Sequence, residues 1–129
     1  MGNGTSIGRV RGLGSAHGGS HHWLLQRFTA LGNLILTAWL VVSILLLPSL
    51  DYATVSNWLA APVPATAMAL LVVSTFWHAR LGLQVLIEDY VHEELNRFIA
   101  LAALNLAAFG GAAFGLFCVL RVALGGGAA

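Results

Sequence analysis

Three apolar runs, at about residues 23–47, 63–87 and 98–124, leave this chain little choice of fold. As helices rising about 1.5 Å per residue, runs of this length cross the roughly 30 Å hydrocarbon core of a bilayer with some tilt. A helix satisfies its own backbone hydrogen bonds, which lipid cannot do. The expected fold class is therefore an all-α membrane protein with three transmembrane helices. Composition points the same way, since 58% of the 129 residues are hydrophobic and 9% charged, whereas soluble domains carry about 25% charged residues.

What separates the runs is short and polar. Pro48 ends the first, and the connection to Pro62 carries Asp51, Tyr52, Asn57 and Trp58 with no basic residue. Its Tyr and Trp suit a membrane interface, and residues 54–61 are expected to form a short helix lying there. A polar link from Glu88 to Arg97 holds four carboxylates, and Gly125, Gly126 and Gly127 stop the third run. Before the first run, residues 1–20 form a Gly- and Ser-rich tail with Arg9, Arg11 and His17 and no sustained periodicity. Residues 21–129 then form the anchor domain. The first apolar run is too long for the core of a cleaved signal peptide.

Arginine placement sets the expected orientation. Arg9, Arg11 and Arg27 lie at or before the first span, the first connection has none, and Arg97 lies in the second. By the positive-inside rule the N-terminus and second connection are cytoplasmic and the C-terminus is on the far side, with Arg121 a mild exception. A formal charge of +1 without a single lysine gives no reason to expect a nucleic-acid partner. The lone Cys118 provides for neither a disulfide framework nor an iron–sulfur cluster.

Chemistry concentrates in the second run. In a helix, the eleven steps from His78 to Asp89 make three turns plus roughly 20°, so both lie on one stripe about 16 Å apart, with Gly82 and Val85 between them. Extended backwards, the stripe takes in Ser74, Leu71 and Ala67, leaving His78 as its one strong ligand before Asp89. A histidine in a membrane helix either ties helices together or binds a metal. The metal reading gains from its central depth and from Gly82 one turn on. It gains too from the absence of a serine, threonine or carboxylate one turn toward the cytoplasm to take its N–H. Imidazole is a usual axial ligand of haem iron. No second histidine lies within the spans, so a six-coordinate haem here needs its opposite ligand from another polypeptide. Arg27 is placed to snorkel to phosphates. Arg80 lies about 200° round the helix from His78, off that stripe, where it is expected to snorkel or to pair with Glu88 or a partner chain. Ala103, Ala107, Gly111 and Gly115 make a small-residue face that lets another helix approach closely.

The run His78-Ala-Arg-Leu-Gly-Leu-Gln-Val-Leu-Ile-Glu-Asp89-Tyr90-Val-His resembles the second helix of the hydrophobic membrane-anchor subunit of succinate dehydrogenase, respiratory complex II. The first helix, with Gln-Arg27-Phe-Thr-Ala, is similar to the opening helix of that family, and the likeness is strongest to the alphaproteobacterial form. The resemblance implies half of a two-subunit helical anchor that is not catalytic alone. Its partners would be a second anchor, the cytochrome b subunit, together with an iron–sulfur subunit and a flavoprotein subunit that oxidises succinate. The cofactor would be a haem b shared with the cytochrome b subunit, and ubiquinone would be the substrate. By resemblance, His78 would be the axial haem ligand, Arg27 and His21 would face a haem propionate, and Tyr90 and Asp89 would form part of the quinone site. The adjacent His22 competes with His21 for its role. The location implied is a bacterial inner membrane. Two other readings stay open: a haem-free structural anchor, and a small proton-coupled transporter or assembly protein in which His78 and Asp89 relay protons.

Overall fold

The structure is a computed structural model that describes residues 19–125. It contains four helices: α1 (Gly19–Leu46), α2 (Tyr52–Ala60), α3 (Pro62–Tyr90) and α4 (Glu94–Ala123). The tail assigned to residues 1–20 lies outside the described residues except for Gly19 and Ser20, which already belong to α1. Of the three terminating glycines only Gly125 is described, and its φ of +77° is the left-handed conformation that glycine adopts without a Cβ penalty.

Helices α1, α3 and α4 are each long and apolar enough to cross a membrane, in agreement with the expected three-span fold. All three run past their apolar segments. The polar link expected over residues 88–97 shrinks to the three residues between Tyr90 and Glu94. A helix keeps its backbone bonds whether its side chains meet lipid or water, so polarity alone does not end it. A cap does: the Glu93 side chain accepts from the backbone N–H of Leu95 at 3.1 Å and of Asn96 at 2.9 Å, fixing the start of α4.

The short interfacial helix is present two residues earlier than expected, as α2. Asp51 caps it, Oδ1 accepting from the Thr54 N–H at 2.7 Å while Oδ2 accepts from the Ser49 hydroxyl at 2.7 Å. The Thr54 backbone bond, followed by those from the Ser49 and Thr54 hydroxyls, holds the Asp51 carboxyl below its ordinary range. Trp58 of α2 stacks on Trp39 of α1 with ring centroids 5.7 Å apart, tying the connection back to the first span.

Helix α3 is the centre of the assembly. Both α1 and α4 pack against it, whereas no Cα of α1 comes within 8 Å of α4. Half of the expected small-residue face explains the α3–α4 contact: a Cβ at Gly111 would overlap the Phe76 ring, and one at Gly115 would lie 2.8 Å from Val72 Cγ1. Ala103 and Ala107, the other half, are exposed. Across the described residues only Leu81, Ala108, Val119 and Thr29 are buried. A single layer of three helices hides few of its own side chains, so its large apolar surface faces lipid or another protein.

Candidate functional site

The site grows from the antiparallel contact between α1 and α3. The helices meet at two glycine levels, where a Cβ at Gly32 would be in ordinary contact 3.6 Å from Ser74 Oγ and one at Gly82 3.5 Å from Gln26 Nε2. Between these two levels stand Thr29 and His78, with Thr29 Oγ1 3.1 Å from His78 Nδ1. The Ser74 hydroxyl donates to the Thr29 carbonyl at 3.4 Å, and the Thr75 hydroxyl donates to Asn33 Oδ1 at 3.5 Å, which continues a polar seam along the pair.

His78 thus has a hydroxyl neighbour, but from α1 and not from its own helix. Its other ring nitrogen, Nε2, makes no hydrogen bond among the described residues. Beside Thr29 and Ser74 the two helices leave an open apolar groove of about 430 Å³, lined also by Leu25, Phe28 and Trp77. Among the described residues no three His, Cys, Asp or Glu side chains cluster to hold a metal ion. A metal at His78 would need most of its ligands from outside the chain, and a porphyrin supplies four.

The remaining residues picked out from the sequence lie toward the end of α3 and the start of α1. Arg27 is exposed and its guanidinium carbon sits 5.3 Å from the Trp23 ring centroid. His21 is exposed, whereas His22 is half-buried with Nε2 enclosed and unpartnered; Gln26 Oε1, one turn on, is likewise enclosed and unpartnered. Asp89 and Tyr90 end α3, both exposed. Tyr90 borders a shallow apolar depression with Leu86, Ile87 and Val91. Within this chain neither Asp89 nor Tyr90 is brought against His78, the axial offset between Asp89 and His78 being about 16 Å.

Arg80 departs from expectation. Glu88 is engaged instead by Gln84, whose Nε2 donates to Glu88 Oε1 at 2.9 Å. Arg80 turns to α4, where its Nε donates to Asn105 Oδ1. The guanidinium lies over the edge-to-face pair of Trp77 and Phe109, 5.9 and 5.8 Å from their centroids, the rings themselves being 6.5 Å apart. No spacing rule within one helix finds Asn105, because the two residues meet only through the α3–α4 packing.

Three lipid-length helices with little core of their own define a helical membrane subunit. Residues 1–114 match the succinate dehydrogenase/fumarate reductase transmembrane subunit family, and the chain belongs to that family. It is 38% identical over 87 residues to a succinate dehydrogenase hydrophobic membrane anchor subunit of Rickettsia bellii, covering 67% of this chain and 70% of that one. Against the subunit of the same description from Rickettsia conorii it is 37% identical over 103 residues, covering 78% and 82% of the two chains. A succinate dehydrogenase membrane anchor subunit of Reclinomonas americana is 35% identical over 94 residues, or 70% of this chain and 78% of that one. No solved structure matches with significance. The family resemblance seen in the sequence is borne out.

Proposed function

We propose that this chain is one of two membrane anchors of a succinate:ubiquinone oxidoreductase, that His78 is one axial ligand of a haem b shared with the second anchor, and that Tyr90 and Asp89 form part of the ubiquinone-reduction site. The observation that carries the haem reading is the His78 ring, engaged at Nδ1 by Thr29 and with no partner at Nε2 among the described residues. A ligating histidine needs that division: one nitrogen held by the protein, the other offered to the metal. When bound, the haem supplies one-electron redox chemistry within the bilayer.

The chain's own residues divide the remaining work. Gly82 keeps side-chain bulk off the stripe one turn from His78. Arg27 and His21 are exposed near the start of α1 and suit carboxylates there, the arginine through a planar fork of donors. Tyr90 offers an O–H to a quinone carbonyl from an apolar surface, and Asp89, about 100° round the helix, assists proton entry at the border with water. Such a border is what quinone reduction needs, since it takes up two protons with its two electrons. The cytochrome b subunit completes the haem and quinone pockets. The flavoprotein and iron–sulfur subunits dock on the cytoplasmic side of a bacterial inner membrane, an orientation supported by the arginine distribution.

Purifying the complex through a tag on this chain and recording a reduced-minus-oxidised optical spectrum tests the reading directly. Co-purifying flavin and iron–sulfur subunits with a bis-histidine b-type spectrum are expected. Those subunits without haem would leave a haem-free anchor, and their absence would favour a transporter or assembly role. For the quinone site, Tyr90→Phe deletes one neutral hydrogen bond of about 0.5–1.5 kcal/mol. Ubiquinone reduction should fall roughly two- to tenfold while dye-linked succinate oxidation is spared. Equal loss of both activities would count against a local role for Tyr90.

A further inference from the structure

We infer that Thr29 is a positioning residue for His78: its hydroxyl accepts the Nδ1 proton, which fixes the ring as the tautomer with a lone pair on Nε2 and strengthens that nitrogen as a donor to iron. This rests on the reading of His78 as a haem ligand and adds to it a role for a residue of the first span.

The assignment follows from counting protons around one oxygen. Thr29 Oγ1 has a single hydrogen and three neighbours: the Leu25 carbonyl at 2.8 Å, the Gln26 carbonyl at 3.1 Å and His78 Nδ1 at 3.1 Å. Both carbonyl oxygens can only accept. If the hydrogen pointed to Nδ1, Oγ1 would face the Leu25 oxygen at 2.8 Å with lone pair against lone pair. That repulsive contact disappears when the hydroxyl bonds back to the carbonyl four residues earlier, a common habit of threonine in helices. Oγ1 is then an acceptor toward α3, and His78 must be the donor, carrying its proton on Nδ1. Neutral imidazole has one N–H, so Nε2 keeps its lone pair.

Burial keeps this arrangement in place. Thr29 is 9% exposed and is the one buried polar residue among those described, so water has little access to compete for Nδ1. Its β-branched side chain has few rotamers in a helix. Further α1–α3 contacts, at Gly32 with Ser74 and at Gly82 with Gln26, lie on either side of it. A partner that accepts the distal N–H of a ligating histidine makes the ligand more basic, which favours ferric iron.

The test uses Thr29→Val and Thr29→Ser in the whole purified complex, with haem content, haem midpoint potential and electron paramagnetic resonance as readouts. Valine keeps the shape and removes the acceptor, so the potential should move to a more positive value and the ferric signal should shift. Serine restores the hydroxyl and should return both toward wild type. Loss of haem in the valine variant with retention in the serine variant would also support the inference. An unchanged potential and signal in Thr29→Val would overturn it, and so would equal shifts or equal haem loss in both variants, since packing alone would then explain them. His78→Ala separates this failure from failure of the underlying reading. If His78→Ala keeps its haem, His78 is not the ligand; if it loses haem while Thr29→Val is silent, only the role of Thr29 falls.

Discussion

His78→Ala is expected to abolish or severely weaken the b-type haem spectrum of the assembled complex while the three spans still insert. The two effects separate because of what the substitution leaves behind. On the proposed ligation, removing the ring takes away one bond to iron, whereas the Thr29 hydroxyl keeps the Leu25 carbonyl at 2.8 Å as its partner. No buried polar group is stranded, so the usual large cost of deleting half of a buried pair does not arise. His78 is itself only half-buried in this chain, and no cavity within the chain has to collapse. Haem per complex, measured by pyridine haemochrome against flavin, should fall to a small fraction of wild type with the amount of this chain in the membrane preserved. A wild-type spectrum would eliminate His78 as the ligand.

Breaking the Arg80–Asn105 contact should produce a marked loss of stability on the α3–α4 face. Arg80 is seven residues inside the apolar run that ends at 87 and Asn105 seven inside the one that starts at 98, which places both about 10 Å into the roughly 30 Å hydrocarbon core. An arginine at the centre of a span costs about 2.5–3.5 kcal/mol even on the lenient insertion scale, and Arg80 bears part of that cost. It is tolerated here because Nε donates to Asn105 Oδ1 and the guanidinium rests against two aromatic rings. Asn105 is held in turn by Nδ2 donating to the Leu101 carbonyl at 2.8 Å. Asn105→Leu leaves the cation without its oxygen and should destabilise the helix pair by about 1–3 kcal/mol. Arg80→Leu should cost less, because a stranded amide is cheaper than a stranded charge. The double variant should recover most of the loss, since replacing both partners by apolar groups is often close to neutral. Unfolding of the purified complex in a detergent titration reads all three, and strictly additive losses would show that the two residues do not act as a pair.

Legibility from sequence tracks the range of the force involved. The spans, the Tyr52–Ala60 helix and the family likeness are readable because bilayer thickness, Pro48 and the His78-to-Asp89-Tyr90 spacing act within short stretches of chain. Within its own helix His78 has no side-chain acceptor one turn on, where Leu81 and Gly82 stand. Its partner, Thr29, lies 49 residues earlier and enters from α1. Arg80 defeats a sequence reading for the same reason: Glu88 is near in sequence, Asn105 is near in space. Tyr90, Asp89, Arg27 and His21 stay exposed at the ends of their helices, and what they face depends on chains beyond this one.

By itself the sequence determined that this protein lives in a membrane as three helices and which polar side chains those helices bear, because lipid imposes length, polarity and backbone satisfaction on each segment separately. Tertiary structure decided which of those side chains meet. The α1–α3 register set the Thr29–His78 contact, and the α3–α4 packing, with Phe76 and Val72 against Gly111 and Gly115, set the Arg80–Asn105 contact. Relative rotation and sliding of packed helices depend on interlocking side chains from distant parts of the chain, and no periodicity within one helix encodes them.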